Sequence, residues 1–190
     1  MSTEMADMVL DETREKMQRA VSHTKGEFSS IRTGRAAPAL VEKIPVEYYG
    51  SEVPLQQLAS FQVPEARQLL ITPYDKGSMG AIEKAITKSD IGLTPNVDGT
   101  VVRLNIPALT EERRKDLVKL VHKRMEEARV EIRNHRRDVG DDVKKAEKAG
   151  DLTADDSRRE LELLQKVTDR WTAEVDRVGK HKETEIMDVG

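Results

Sequence analysis

The sequence predicts an α+β protein: a long three-helix bundle with a small β/α/β domain inserted into it. Three observations carry this. Three long stretches repeat apolar residues at steps of three and four, the period of one helical face. Between the first and second of them the period changes, and six of the seven prolines fall between residues 44 and 107. Aromatic residues number six (Trp171, Tyr48, Tyr49, Tyr74, Phe28, Phe61), and a core built instead from Leu, Val, Ile and Met suits helix-on-helix packing.

The first helical stretch covers roughly residues 3–32. Leu10, Met17, Thr24 and Ile31 recur seven apart, with Thr13, Ala20, Val21 and Phe28 between them, which is a heptad seam. Gly26 weakens this helix by about 1 kcal/mol.

Short strands follow. Residues 44–49 alternate as a strand closed by Gly50 and Ser51; residues 59–63 and 68–72 form two more, separated by Pro64, Glu65 and Ala66. Residues 73–77 make a turn. Met79, Ile82 and Ile86 then share one face of a short helix over residues 79–89, which Gly92 and Pro95 end. After a turn at Asp98 and Gly99, residues 101–106 form a last strand.

The central helix spans residues 110–148. Its seam runs through Leu117, Leu120/Val121, Arg124/Met125, Ala128, Ile132, His135, Val139, Val143 and Ala146. Thr110 is a good N-cap, and Glu111 and Glu112 place negative charge where the helix dipole favours it. At 1.5 Å per residue the rod is on the order of 57 Å long. Gly150 stops it, and Thr153 with Asp156 starts a last helix of roughly 35 residues, whose seam is Leu161, Leu164, Thr168, Trp171, Val175, Val178 and Ile186.

The domains are therefore residues 1–32 with 108–190, and residues 33–107. The chain leaves the bundle near Thr33 and re-enters near Pro107, and two such crossings predict a hinge about which the inserted domain moves as a rigid body.

Bulk composition narrows the function. The 190 residues are 35% charged and 37% hydrophobic, and the apolar ones are periodic, which excludes a disordered chain. Without cysteine there are no disulfides and no thiolate metal sites. The acidic N-terminal residues lack the apolar core of a secretory signal, and no apolar run is long enough to span a membrane, so a cytoplasmic protein is expected. One chain supplies enough helices for a closed bundle, which favours a monomer.

The charge is uneven. The chain carries −3 overall, yet residues 110–137 hold ten bases against six acids. Arg129, Arg133 and Arg136 sit at steps of four and three and form a stripe beside the seam, with Arg137 adjoining. Two readings stand side by side. One is a solvated helix face with ordinary ion pairs to Glu126, Glu131 and the last helix. The other is a stripe that tracks a nucleic-acid backbone, since a guanidinium binds phosphate bidentately. Arg32 and Arg35 either extend that stripe or cap backbone carbonyls at the hinge.

Other chemistries find little support. His23, His122, His135 and His181 lack metal-ligand spacing, and no metal or cofactor is expected. His135, on the seam, needs only a local partner. No nucleophile elbow, P-loop or dinucleotide fingerprint is present, so neither catalysis nor a small-molecule substrate is expected. Asp75 and Lys76 are turn residues, and of the adjacent Tyr48 and Tyr49 one packs while the other is exposed, on opposite sheet faces.

Blocks of residues resemble the bacterial ribosome recycling factor family. These are residues 31–38 (IRTGRAAP), 46–50 (VEYYG), 54–59 (PLQQLA), 83–86 (EKAI), 89–96 (SDIGLTPN), 109–115 (LTEERRK) and 128–138 (ARVEIRNHRRD), in family order and at family spacing. The resemblance implies an L-shaped molecule that is not an enzyme. It implies action after translation termination, where elongation factor G, hydrolysing GTP, splits the ribosome with it and releases the mRNA. It further implies that Arg129, Arg133, Arg136, Arg137 and Arg32 contact ribosomal RNA of the large subunit, and that Thr33, Gly34, Arg35, Ile106 and Pro107 form the hinge. Two departures are visible: Ala108 stands where the family often has a second proline, and Gly140 lies inside the central helix. The rival reading is a coiled-coil scaffold that binds a protein partner through its small domain, with its arginines ion-paired internally throughout.

Overall fold

The computed structural model describes residues 1–188. The elements in order are α1 (Thr3–Ser29), β1 (Pro45–Tyr48), β2 (Ser51–Pro54), β3 (Ala59–Glu65), β4 (Gln68–Pro73), α2 (Met79–Lys88), β5 (Asn96–Asp98), β6 (Val101–Asn105), α3 (Glu111–Lys148) and α4 (Ala154–Met187). The chain divides into two compact units, residues 1–28 with 115 onward, and residues 29–114.

The larger unit is built from α1, α3 and α4. Thr110 accepts a hydrogen bond from the Arg113 N–H at 3.1 Å and caps α3, and Thr153 accepts one from Asp156 N–H at 3.1 Å and caps α4. Between them, Gly150 takes φ +81 while Asp151 N–H bonds Ala146 O and Gly150 N–H bonds Glu147 O, a Schellman stop. Side-chain pairs 122–183, 129–176 and 136–165 run in opposite directions along the two helices, so α3 and α4 are antiparallel. Glu27 with Arg124, and the Met1 ammonium with Asp151, set α1 antiparallel to α3 in the same way.

Each helix buries its periodic face: Leu10, Met17, Val21 and Phe28 from α1; Leu117, Val121, Met125, Ala128, Ile132, Val143 and Ala146 from α3; Leu164, Thr168, Val175, Val178 and Ile186 from α4. Thr13, Thr24 and Thr168 are tolerated there because each hydroxyl donates to the carbonyl four residues back. The seam of α4 also contains Ser157, Glu160, Gly179 and Lys182, which periodicity of apolar residues does not flag. Glu160 is 2% exposed and paired with Arg159, and Lys182 lays its stem inward while its ammonium reaches Glu185 at 3.2 Å.

Some expected boundaries move. α1 ends at Ser29 rather than near residue 32, so Ile31 lies beyond the helix. α3 runs through Gly140 without a break.

In the smaller unit β1 and β2 form a two-stranded hairpin, and the remaining strands make an antiparallel sheet in the order β3-β4-β6-β5. Leu69 opposite Leu104 and Ile71 opposite Val102 form the buried face, and Ile82 and Ile86 of α2 join them in the core with Val46 and Leu55. β3 continues to Glu65 through Pro64, where the sequence suggests a break. It is an edge strand with a register shift between Gln62 and Glu65, so the missing N–H of Pro64 costs no ladder bond. β2 and β5 are not expected from the sequence. Both are short, and β5 is wholly exposed, so neither leaves an alternating pattern to find.

Tyr49 corrects a further expectation. It lies in the hairpin turn with φ +49, followed by Gly50 at φ +80, instead of in the strand. The rings of Tyr48 and Tyr49 therefore meet edge to face, with centroids 4.5 Å apart, rather than pointing to opposite faces.

Candidate nucleic-acid interface

The basic stripe rests on α3, a 38-residue helix without proline, so its side chains are carried on a continuous register. A helix advances about 100° per residue, and positions seven apart therefore stay on one edge. His122, Arg129 and Arg136 share such an edge, and all three reach across to α4. His122 meets Glu183 at 3.0 Å, the Arg129 Nε–H donates to Asp176 at 2.9 Å, and the Arg136 Nε–H donates to the Gln165 amide oxygen at 2.7 Å.

A second row looks outward. Lys119, Lys123, Arg133 and Arg137 are exposed and, with Glu126 and Val130 between them, follow helical steps of three and four. Arg133 donates to Glu126 Oε1 at 2.6 Å, and the other Glu126 oxygen lies 3.4 Å from Arg129 Nη1. Hydrogen bonding from Arg133 holds the Glu126 carboxyl below its ordinary range. Asp176 similarly raises the Arg129 guanidinium.

The expected stripe thus divides chemically. Arg129, with its side chain 28% exposed and two carboxylates on it, ties α3 to α4. Arg133 is 58% exposed and held by one carboxylate, while Arg137 is 66% exposed with Asp138 at 3.6 Å. Arg136 is exposed, and its partner is a neutral amide. The scaffold reading requires ion pairing throughout the stripe, and Arg136 departs from it. Exposed pairs of this kind contribute at most about 1 kcal/mol, so they yield readily to a phosphate.

Arg32 belongs to the smaller unit. Its Nη1–H donates to the Ile91 carbonyl at 2.9 Å within the smaller unit, which is the carbonyl-capping alternative. Nearby, Thr33 is 8% exposed and Gly34 takes φ +78, and a Cβ on Gly34 would come within 3.3 Å of the Leu109 nitrogen. Ile106 is buried and its N–H donates to the Arg67 carbonyl at 2.8 Å; Pro107 is exposed, as is Arg35. Residues 30–37 and 106–110 hold no helix or strand, and both segments lie inside the 29–114 unit.

The remaining candidates have local partners. Asp75 accepts from the Gly77 N–H at 2.9 Å and from the Tyr48 hydroxyl at 3.1 Å, closing the turn against the hairpin. Each histidine lies beside a glutamate, His135 with Glu131 at 3.7 Å among them. Among the described residues no group of three or more metal-ligating side chains is assembled, and no helix is long and apolar enough to cross a membrane. The arginines and Glu126 are legible in the sequence. Asp176 and Gln165 carry no such signal, because only the pairing of α3 with α4 makes them neighbours of the stripe.

A family model described as "Ribosome recycling factor" matches residues 24–187. The ribosome-recycling factor of Bacillus velezensis is 55% identical over 185 residues, covering 97% of this chain and 100% of the relative. A solution structure of a ribosome recycling factor superposes with a TM-score of 0.82 at 44% identity, covering 97% of this chain and 98% of the other. A chain from models of the T. thermophilus ribosome recycling factor and the E. coli elongation factor G bound to the E. coli post-termination complex gives 0.69 at 42% identity, with 99% and 100% covered.

Proposed function

The chain belongs to the ribosome recycling factor family, and from that premise we propose how its residues take part in recycling. The protein binds the post-termination ribosome and, with elongation factor G and GTP, separates the subunits and frees them from mRNA. It acts in the cytoplasm as a monomer and is not itself an enzyme: the GTPase supplies the chemical free energy, and this chain supplies a docking face and a lever.

The observation that carries the docking role is the exposed cationic row on α3, flanked by Arg136. Arg133, Arg136 and Arg137 bind phosphates of large-subunit ribosomal RNA. Arg129 fixes the edge of that face through Asp176, and Arg32 braces the start of the connection through Ile91. A helix held along one side by α4 transmits force applied at its end instead of bending under it.

The inserted domain, residues 33–107, turns about Thr33, Gly34 and Arg35 on one strand of the connection and Ile106 and Pro107 on the other. The lack of helix or strand at 30–37 and 106–110 supports this, because the pivots lie outside the regular elements. A translocating elongation factor pushes that domain while the bundle holds its register on the RNA.

The test is equilibrium binding to large ribosomal subunits by co-sedimentation across a salt series. Arg133→Glu combined with Arg136→Glu weakens binding and flattens the dependence of log affinity on log salt, by up to about 0.9 for each phosphate no longer neutralised. Unchanged affinity and slope reject the docking face.

A further inference from the structure

Between Lys119 and Arg137 the outward row of α3 contains one acid. Positions 119, 123, 126, 130, 133 and 137 follow steps of four and three, and only Glu126 among them is negative. That acid does not face empty solvent. It receives the Arg133 guanidinium at 2.6 Å, across two helical turns, and its second oxygen lies 3.4 Å from Arg129.

We propose that Glu126 is an intramolecular competitor for the phosphate site of Arg133, and that docking on RNA exchanges a carboxylate for a phosphate on Arg133 and leaves Glu126 on Arg129, which it already touches. This rests on the docking role proposed above. A guanidinium presents its N–H groups in a planar fork, and a phosphate that takes the fork through Nη2 competes with Glu126, whose Oε1 already holds that nitrogen. The displaced carboxylate is not stranded, because Arg129 stands one turn away, held in place by Asp176 from α4. The number of ion pairs is therefore conserved across the exchange: Arg133 trades a carboxylate for a phosphate, and Glu126 keeps a cation.

Two consequences follow from charge alone. The free protein presents a weaker cationic row than its arginines and lysines suggest, which limits capture by unrelated nucleic acids. The bound protein also has an internal replacement ready for the departing phosphate, so release from RNA does not require a bare guanidinium. For a factor that must leave after every round, such exchange favours a short residence time.

The experiment measures binding of the full chain to large ribosomal subunits at several salt concentrations, for wild type, Glu126→Gln, Arg133→Gln and the double variant. Glutamine keeps the shape of the side chain at an exposed helical site, and circular dichroism verifies that each variant retains its helix content. Glu126→Gln is expected to tighten binding by about two- to five-fold and steepen the salt dependence, in line with removal of one exposed ion pair. In the Arg133→Gln background the same change is expected to give no gain. An equal gain in both backgrounds overturns the exchange, since it would then reflect general charge removal. No gain from Glu126→Gln while Arg133→Gln weakens binding overturns the exchange and leaves the docking role standing. If Arg133→Gln itself leaves binding unchanged, the docking role of Arg133 falls and the exchange falls with it.

Discussion

Each long helix contains an interior glycine, and the same substitution at the three should give opposite results. Gly26 lies in α1, Gly140 in α3 and Gly179 in α4. Helix propensity alone predicts that Gly→Ala stabilises each by about 1 kcal/mol. At Gly26 a new Cβ meets nothing within 4 Å, and at Gly140 it makes ordinary contact with Leu161 at 3.8 Å and Leu164 at 3.9 Å, so both should follow propensity. At Gly179 the Cβ falls 2.5 Å from Met125 Cε and 2.6 Å from Cγ, and closer still to Sδ. Ordinary contact needs ~3.5 Å or more. Met125, 8% exposed between the helices, would have to retreat along most of its length. Overpacking of this kind costs about 1–3 kcal/mol, and the propensity gain offsets only part of it, leaving Gly179→Ala destabilised by up to about 2 kcal/mol.

Thermal and urea unfolding followed by circular dichroism reads these differences. For a bundle of about a hundred residues, 1 kcal/mol corresponds to roughly 4 °C or more in Tm. Gly26→Ala and Gly140→Ala should melt above wild type and Gly179→Ala below it. Combining Gly179→Ala with Met125→Ala should show a favourable coupling of about 1 kcal/mol, because the second change removes the clash created by the first. If Gly179→Ala melts as high as Gly26→Ala, the close approach of α3 and α4 at Met125 is wrong.

Two further outcomes test the smaller unit. The Tyr48 hydroxyl donates to Asp75, and that bond, with burial and the nearby carboxylate charge, raises the phenol above its ordinary value. The sign follows: its contribution to stability is complete below the ordinary phenol pKa and disappears as pH rises through the higher folded value. Asp75→Asn should bring the Tyr48 transition to lower pH in an ultraviolet titration, and a transition that stays in place would contradict the pairing. Gly34→Ala, at φ +78 and 3.3 Å from Leu109, should destabilise the smaller unit by about 1–2 kcal/mol, and urea unfolding indistinguishable from wild type would remove the conformational requirement.

Much of the fold is legible in the chain because long helices write their burial into it many times over. The seam of α3 can be read residue by residue, and Thr110, Gly150 and Thr153 mark ends that capping chemistry specifies locally. Short strands repeat their pattern too few times: β2 and β5 escape detection, and Pro64 looks like a break because its position on a sheet edge depends on β4 and β6. Tyr49 misleads for a related reason, since a turn conformation rare for a bulky residue leaves no mark in the neighbouring alternation.

The site follows the same division. Sequence by itself determines that the chain concentrates base on one helix, that Arg129, Arg133 and Arg136 share a side of it, and which family those residues resemble. Helical geometry is a local property, so spacing fixes it. Only the tertiary structure decides what each arginine is bonded to. Arg129 and Arg136 turn to α4, Arg133 is held by Glu126, and Arg32 caps Ile91, 59 residues away. An ion pair depends on which backbones pack together and how closely, and Gly179 against Met125 shows how one missing side chain sets that distance.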